Sequence, residues 1–159
     1  MKWSGSKAVD LLIIGIGNPL RGDDGAGVRA AEMLSTHAHD RHLRVLTVHQ
    51  LLPEHAEEIS HARRVIFLDA SVEVASGRMK CHRLTHDAGV APLTHHVTPE
   101  ALLQLAKDLY QASPECWLIQ IGGKSFDVHP RLSRAMQHPL RRLVEELSKQ
   151  IGYWRAEHA

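Results

Sequence analysis

The chain alternates short apolar runs with longer amphipathic stretches. Leu11 to Gly17 (LLIIGIG) is a continuous apolar run ended by glycine, the pattern of a strand buried on both faces. Gly25 to Thr36 then places Val28, Ala31 and Leu34 on one helical face, behind acidic residues at its start. Leu43 to Val48 (LRVLTV) reads as a second strand, and Pro53 to Ala62 as a helix with proline in its first turn and Glu54, Glu57 and Glu58 after it. Val65 to Leu68 (VIFL) is a third strand, closed by Asp69. The more polar Gly77 to Leu84 fits a fourth strand at a sheet edge. Thr98-Pro99-Glu100 opens a helix with Thr98 as N-cap, and Leu102, Leu105, Ala106 and Leu109 form its stripe. Trp117 to Ile121 (WLIQI) is a strand ended by Gly122-Gly123. A last helix runs from about Leu132 to Ile151, bent or restarted near Pro139.

Strands alternating with helices, without repeats or a low-complexity linker, predict one α/β domain over residues 1–159. It is a three-layer α/β/α arrangement around a mostly parallel, twisted sheet, with 1–9 and 153–159 as frayed ends. The Trp3 and Trp154 regions fall in those ends and are assigned no role. At 159 residues with 43% apolar composition, the chain is long enough to bury a full core. No apolar run approaches the roughly 20 residues that span a bilayer. The start MKWSGSKAVD, followed only by a short apolar run, does not read as a signal peptide. Cys81 and Cys116 lie far apart with no CxxC partner, which suits a reducing cytoplasm. Nineteen basic residues balance 18 acidic ones and aromatics are 4%, so nucleic-acid binding is poorly supported. Most of the 13 histidines (His37, His39, His42 and His158 among them) sit in polar stretches and read as surface residues.

Candidate chemistry concentrates in LLIIGIGNPLRGDDGAGVRAAE, Leu11 to Glu32. A glycine-rich turn from strand to helix suits an anion, yet this one carries the adjacent carboxylates Asp23 and Asp24. It is therefore better suited to a cation or to acid/base work. The dinucleotide reading fails at Gly15-Ile16-Gly17-Asn18-Pro19-Leu20, where leucine replaces the third glycine, and after strand two, which ends Val48-His49-Gln50 with no acid. A serine-hydrolase reading fails for want of a GxSxG elbow. Ligands in such sheets bind beyond the carboxyl ends of the strands. If strands one and three are neighbours, Asp23, Asp24 and Asp69 converge on one crevice, and the loop carrying His95-His96 reaches the same rim. Two carboxylates and an imidazole suit a borderline divalent metal such as zinc or nickel. Each residue also has a local reading: Asp24 at a helix start, Asp69 bonding the next turn, the histidines in a loop, and His49 closing its strand.

GIGNPLRGDDGAGVRAAEML resembles the signature of the hydrogenase maturation endopeptidases: a strand, GxGN, an acid pair, glycine and a helix. VIFLDA (65–70) looks like that family's second metal-site strand, LTHHVTPEALLQLA (93–106) its histidine loop and helix, and GGKSFDVHPRLS (122–133) its closing segment. The resemblance implies a twisted sheet between helices. It also implies removal of a short C-terminal extension from the large-subunit precursor of a nickel–iron hydrogenase after nickel insertion, with the nickel as recognition feature. Position by position, the nickel-contacting and catalytic residues fall on Asp24, Asp69 and His95, with His96 as the adjacent alternative. The nickel comes with the precursor, and an Asp acts either as general base, as in an acid protease, or as metal ligand in metal-assisted hydrolysis. The glycine-rich acidic stretch that many members carry after strand two is here His49-Gln50-Leu51-Leu52-Pro53, a departure that bears on which hydrogenase is the client. Two other readings stand beside the peptidase: a non-enzymatic chaperone that holds the immature nickel-containing subunit, and a small-substrate metallohydrolase.

Overall fold

The computed structural model describes residues 9–36, 42–85 and 96–157. Five strands form one sheet: β1 (Val9–Ile16), β2 (Leu43–Val48), β3 (Ala62–Ser71), β4 (Met79–Leu84) and β5 (Glu115–Gly122). Their order is β2-β1-β3-β5-β4, parallel except for the antiparallel edge strand β4. The helices are α1 (Ala26–Ser35), α2 (His55–Ser60), α3 (Pro99–Tyr110) and α4 (Arg134–Glu157), with one 3-10 turn at Gly22–Gly25 leading into α1.

Side-chain alternation along β1 makes the three layers. Leu11 and Ile13 face a core shared with α1 (Ala30, Leu34) and α4 (Leu140, Leu143, Leu147). Leu12 and Ile14 face the opposite core with α2 (Ile59) and α3 (Leu102, Leu103). Both cores continue across β3 and β5, so the central strands are apolar on both faces, as the sequence pattern requires.

Several elements differ from the sequence expectation. The helix expected from Pro53 is confined to His55–Ser60, with Pro53 and Glu54 in the preceding turn, and the buried Ala62 already pairs with Val9 at the start of β3. β3 is ten residues long rather than four because it has a parallel partner on each side, which carries Asp69 into the strand opposite Gln120. The final helix runs unbroken through Pro139 to Glu157. Pro139 lies in the second turn, where its missing N–H removes only the bond to Ala135 in the first. The 153–157 segment is helix instead of a frayed end: Trp154 packs against the core and the Arg64 guanidinium lies 4.8 Å from its ring centroid. Both cysteines are free thiols, Cys81 exposed and Cys116 buried. No described helix is long and apolar enough to cross a membrane.

Candidate active site

The strand order reverses at β1, whose neighbours are β2 and β3. A crevice opens at the carboxyl ends of such strands. Close packing of α1 sets its shape. A Cβ on Gly27 would lie 2.2 Å from the Leu68 carbonyl oxygen, and one on Gly15 would lie 2.6 Å from the Ala31 Cβ. Only these small residues let α1 rest directly on β1 and β3, which brings the 3-10 turn at its head up to the end of β3. Gly17 makes the turn itself: its φ is +138°, and a side chain there would meet the Asp24 carbonyl.

The two adjacent carboxylates of this turn part company. Asp23 is fully buried and faces away from the crevice, toward the segment after β5. It accepts hydrogen bonds from the backbone N–H groups of Lys124 (2.8 Å), Ser125 (3.2 Å) and Ser133 (2.7 Å) and from the Ser133 hydroxyl (2.7 Å). Burial pushes its pKa up. The four hydrogen bonds together more than offset that and hold it below the ordinary aspartate value. Asp23 is therefore a structural clasp, a correction to the expectation that both acids face the crevice. Its partners lie 101 to 110 residues away, beyond the reach of any local pattern.

Asp24 is oriented by the same turn but faces the crevice. Its Oδ2 accepts the Asn18 N–H at 2.8 Å, while the Asn18 Oδ1 accepts the Leu20 N–H at 2.9 Å. Asp24 and Asp69 line one cleft of about 240 Å³ together with Ile16, Gly17, His49, Gln50, Leu51, Val97 and Pro99. The Asp69 pKa is raised from 3.8 to about 7, first by burial and then by the Asp24 charge, with the Ala70 N–H opposing. Burial and the neighbouring Asp24 thus favour the protonated form of Asp69 relative to an ordinary aspartate.

The structure brings together Asp24 and Asp69 as the sequence predicts, and places His49, which the sequence sets at the end of strand two on the same rim, in the cleft wall with Gln50 and Leu51. His95 lies outside the described residues. His96 is exposed and stands one residue before Val97, so the segment leading to α3 borders the cleft. Among the described residues no three His, Cys, Asp or Glu side chains are grouped closely enough to hold a metal ion. Asp24 and Asp69 are two oxygen donors that could hold a metal ion.

A parallel sheet with two acids at its switch point defines the class, and solved structures place it more closely. The fold matches HycI, a [NiFe] hydrogenase maturation protease from Thermococcus kodakarensis KOD1, with a TM-score of 0.73 at 24% identity, over 92% of this chain and 94% of that one. It matches a hydrogenase 2 maturation peptidase from Thaumarchaeota archaeon SCGC_AB-539-E09 with a TM-score of 0.67 at 26% identity, over 90% and 98%. It matches the hydrogenase maturating endopeptidase HybD from E. coli with a TM-score of 0.65 at 23% identity, over 87% and 90%. No protein-family model and no curated protein matches the sequence. The chain has the fold of the hydrogenase maturation proteases.

Proposed function

We propose that the protein is a processing endopeptidase that removes a short C-terminal extension from the nickel-loaded large-subunit precursor of a nickel–iron hydrogenase. The observation that carries this reading is the acid pair Asp24 and Asp69 in one cleft at the switch point of this fold. The nickel is part of the substrate. Asp24 and Asp69, with His95 from the segment before α3, complete its coordination and thereby fix the scissile bond beside them. A peptide bond is cut when water adds to its carbonyl carbon and the C–N bond then breaks, leaving a carboxylate and an amine. That sequence needs a base for the water proton and an acid for the leaving nitrogen. An aspartate of the pair that does not ligate the nickel supplies the base, and its protonated form then serves as the acid. The free thiols of Cys81 and Cys116 fit action in the cytoplasm, where the precursor is processed.

The test mixes the purified protein with nickel-loaded, unprocessed large subunit and follows both masses with time, beside Asp24→Ala, Asp69→Ala and His95→Ala. Loss of a short C-terminal peptide, dependent on nickel and on all three side chains, is the expected result. Association with no change in mass would make the protein a chaperone of the immature subunit instead.

A further inference from the structure

The chain as a whole is nearly neutral, but its charge is unevenly placed. Residues 123–142 hold five of the 19 Lys and Arg (Lys124, Arg131, Arg134, Arg141, Arg142) and one of the 18 Asp and Glu (Asp127). That segment therefore carries a net +4 in a chain of net +1, and the remainder is net −3. Elsewhere four arginines sit beside acids: Arg29 with Glu32, Arg44 with Glu58, Arg63 with Asp10 and Arg64 with Glu115. The five cations of 123–142, together with Arg21, are exposed and enter no ion pair among the described residues.

The fold ties them to the turn that carries Asp24. Asp24 N–H donates to the Arg21 carbonyl at 3.1 Å, so Arg21 is held in the same turn as Asp24. Arg21 bridges His129 in parallel register, with Gly22 N–H donating to the His129 carbonyl at 2.8 Å and His129 N–H to the Leu20 carbonyl at 2.9 Å. The Asp23 clasp on Ser133 then fixes the head of α4, from which Arg134, His138 and Arg141 or Arg142 follow at helical spacing on the exposed side, away from buried Met136, Leu140 and Leu143. Two strongly exposed apolar residues, Leu20 (63%) and Val128 (84%), sit within this band, each next to a residue of the Arg21–His129 bridge. An arginine-rich, rigidly held surface with apolar side chains among the charges is the composition of a protein interface. A groove for nucleic acid would show aromatic stacking platforms, which this band lacks beyond the half-buried Phe126.

We propose that the band from Arg21 through Arg131 and Arg134 to Arg142 docks an acidic face of the precursor subunit next to its cleavage site. The inference rests on the peptidase reading for its occupant. Its argument is complementarity: the acid pair takes the metal centre of the substrate, and the surrounding cations take the anionic protein surface flanking it. A cationic surface of this extent would not be needed for a small substrate, which never reaches Arg141 or Arg142.

The test compares the wild-type chain with Arg131→Glu/Arg134→Glu, with Arg141→Glu/Arg142→Glu farther from the clasp, and with Lys107→Glu on α3 as a control on another surface. Cleavage of nickel-loaded precursor is measured at low and high ionic strength. Charge reversal is expected to raise KM about tenfold at low salt with kcat unchanged, to flatten the rise of wild-type KM with salt, and to leave the control unaffected. An unchanged KM and salt dependence in both reversed variants, with cleavage intact, overturns the inference and leaves the peptidase standing. Association without cleavage, abolished by reversal, supports the docking face and removes the peptidase. No association at all removes both. If reversal instead abolishes retardation of a single-stranded RNA while KM stays fixed, the band is a nucleic-acid face and the inference is overturned.

Discussion

Asp23 and Ser133 hold each other twice, the backbone N–H and the hydroxyl of Ser133 each donating to the carboxylate at 2.7 Å. The pair joins the turn before α1 to the head of α4, so the cleft and the segment after β5 form one unit. A fully buried carboxylate with four donors leaves those donors stranded when its charge or acceptor capacity is removed. Asp23→Asn is expected to cost about 3 kcal/mol and Ser133→Ala about 1 kcal/mol, read as shifts of the urea midpoint at constant slope. Because the folded-state pKa of Asp23 is lowered, its contribution is present above the ordinary aspartate pKa and is lost as pH falls through the folded value. Asp23→Asn should therefore lose the least, relative to wild type, at the acid end of the titration.

Asp69 has the opposite sign. Its folded pKa is about 7 against an unfolded value near 3.8, so the folded state binds the extra proton between those limits. The favourable contribution is complete below the unfolded pKa and disappears as pH rises through about 7. Asp69→Asn removes the burial of a charge above that point. The variant should gain about 2 kcal/mol over wild type at pH 8, after allowing for solvent at the cleft, and nothing at pH 4. Thermal midpoints of the two proteins across that range check it. The same variant, lacking a titrating acid, should be inactive at every pH.

Gly27 decides whether α1 can lie on the sheet. An added methyl would sit 2.2 Å from the Leu68 carbonyl and 2.7 Å from that of Ile16, both backbone atoms of central strands that cannot yield. Gly27→Ala has the better helix propensity by about 1 kcal/mol, yet the overpacking is expected to win and leave the protein less stable by about 3 kcal/mol. Residual protein should also cleave more slowly, because lifting α1 carries Asp24 away from Asp69. Denaturation and single-turnover cleavage of the same sample separate the two effects.

The apolar pattern announces the central strands and the amphipathic helices, because each has a buried face whose period is written in the residues that fill it. By contrast β4, exposed along most of its length, is legible only as a polar edge. Lengths are less legible. β3 extends past VIFL at both ends because β1 and β5 flank it, and that pairing is not a property of the segment. Asp24 and Asp69 were visible as acids at strand ends, but their meeting depends on β1 and β3 being neighbours, which local sequence does not state. The division of labour between Asp23 and Asp24 was hidden for a similar reason. The two side chains look alike in the turn, and what separates them is Ser133, more than a hundred residues on. Trp154 likewise gains its place from the core it packs against and from Arg64, on a strand far from it in sequence.

Metal dependence supplies a last prediction. A resident metal centre would add its binding free energy to folding, and chelation would lower the thermal midpoint. On the peptidase reading Asp24 and Asp69 add ligands to a metal already held by the precursor rather than binding one tightly alone. Chelator should therefore leave the midpoint of the isolated chain unchanged, and calorimetric titration with nickel should give weak binding, with Kd above about 10 μM, weakened further in Asp24→Ala. Cleavage should still require nickel, through the precursor. Tight nickel or zinc binding by the isolated chain, with a midpoint that drops on chelation, would instead favour a resident-metal hydrolase and count against a substrate-borne metal.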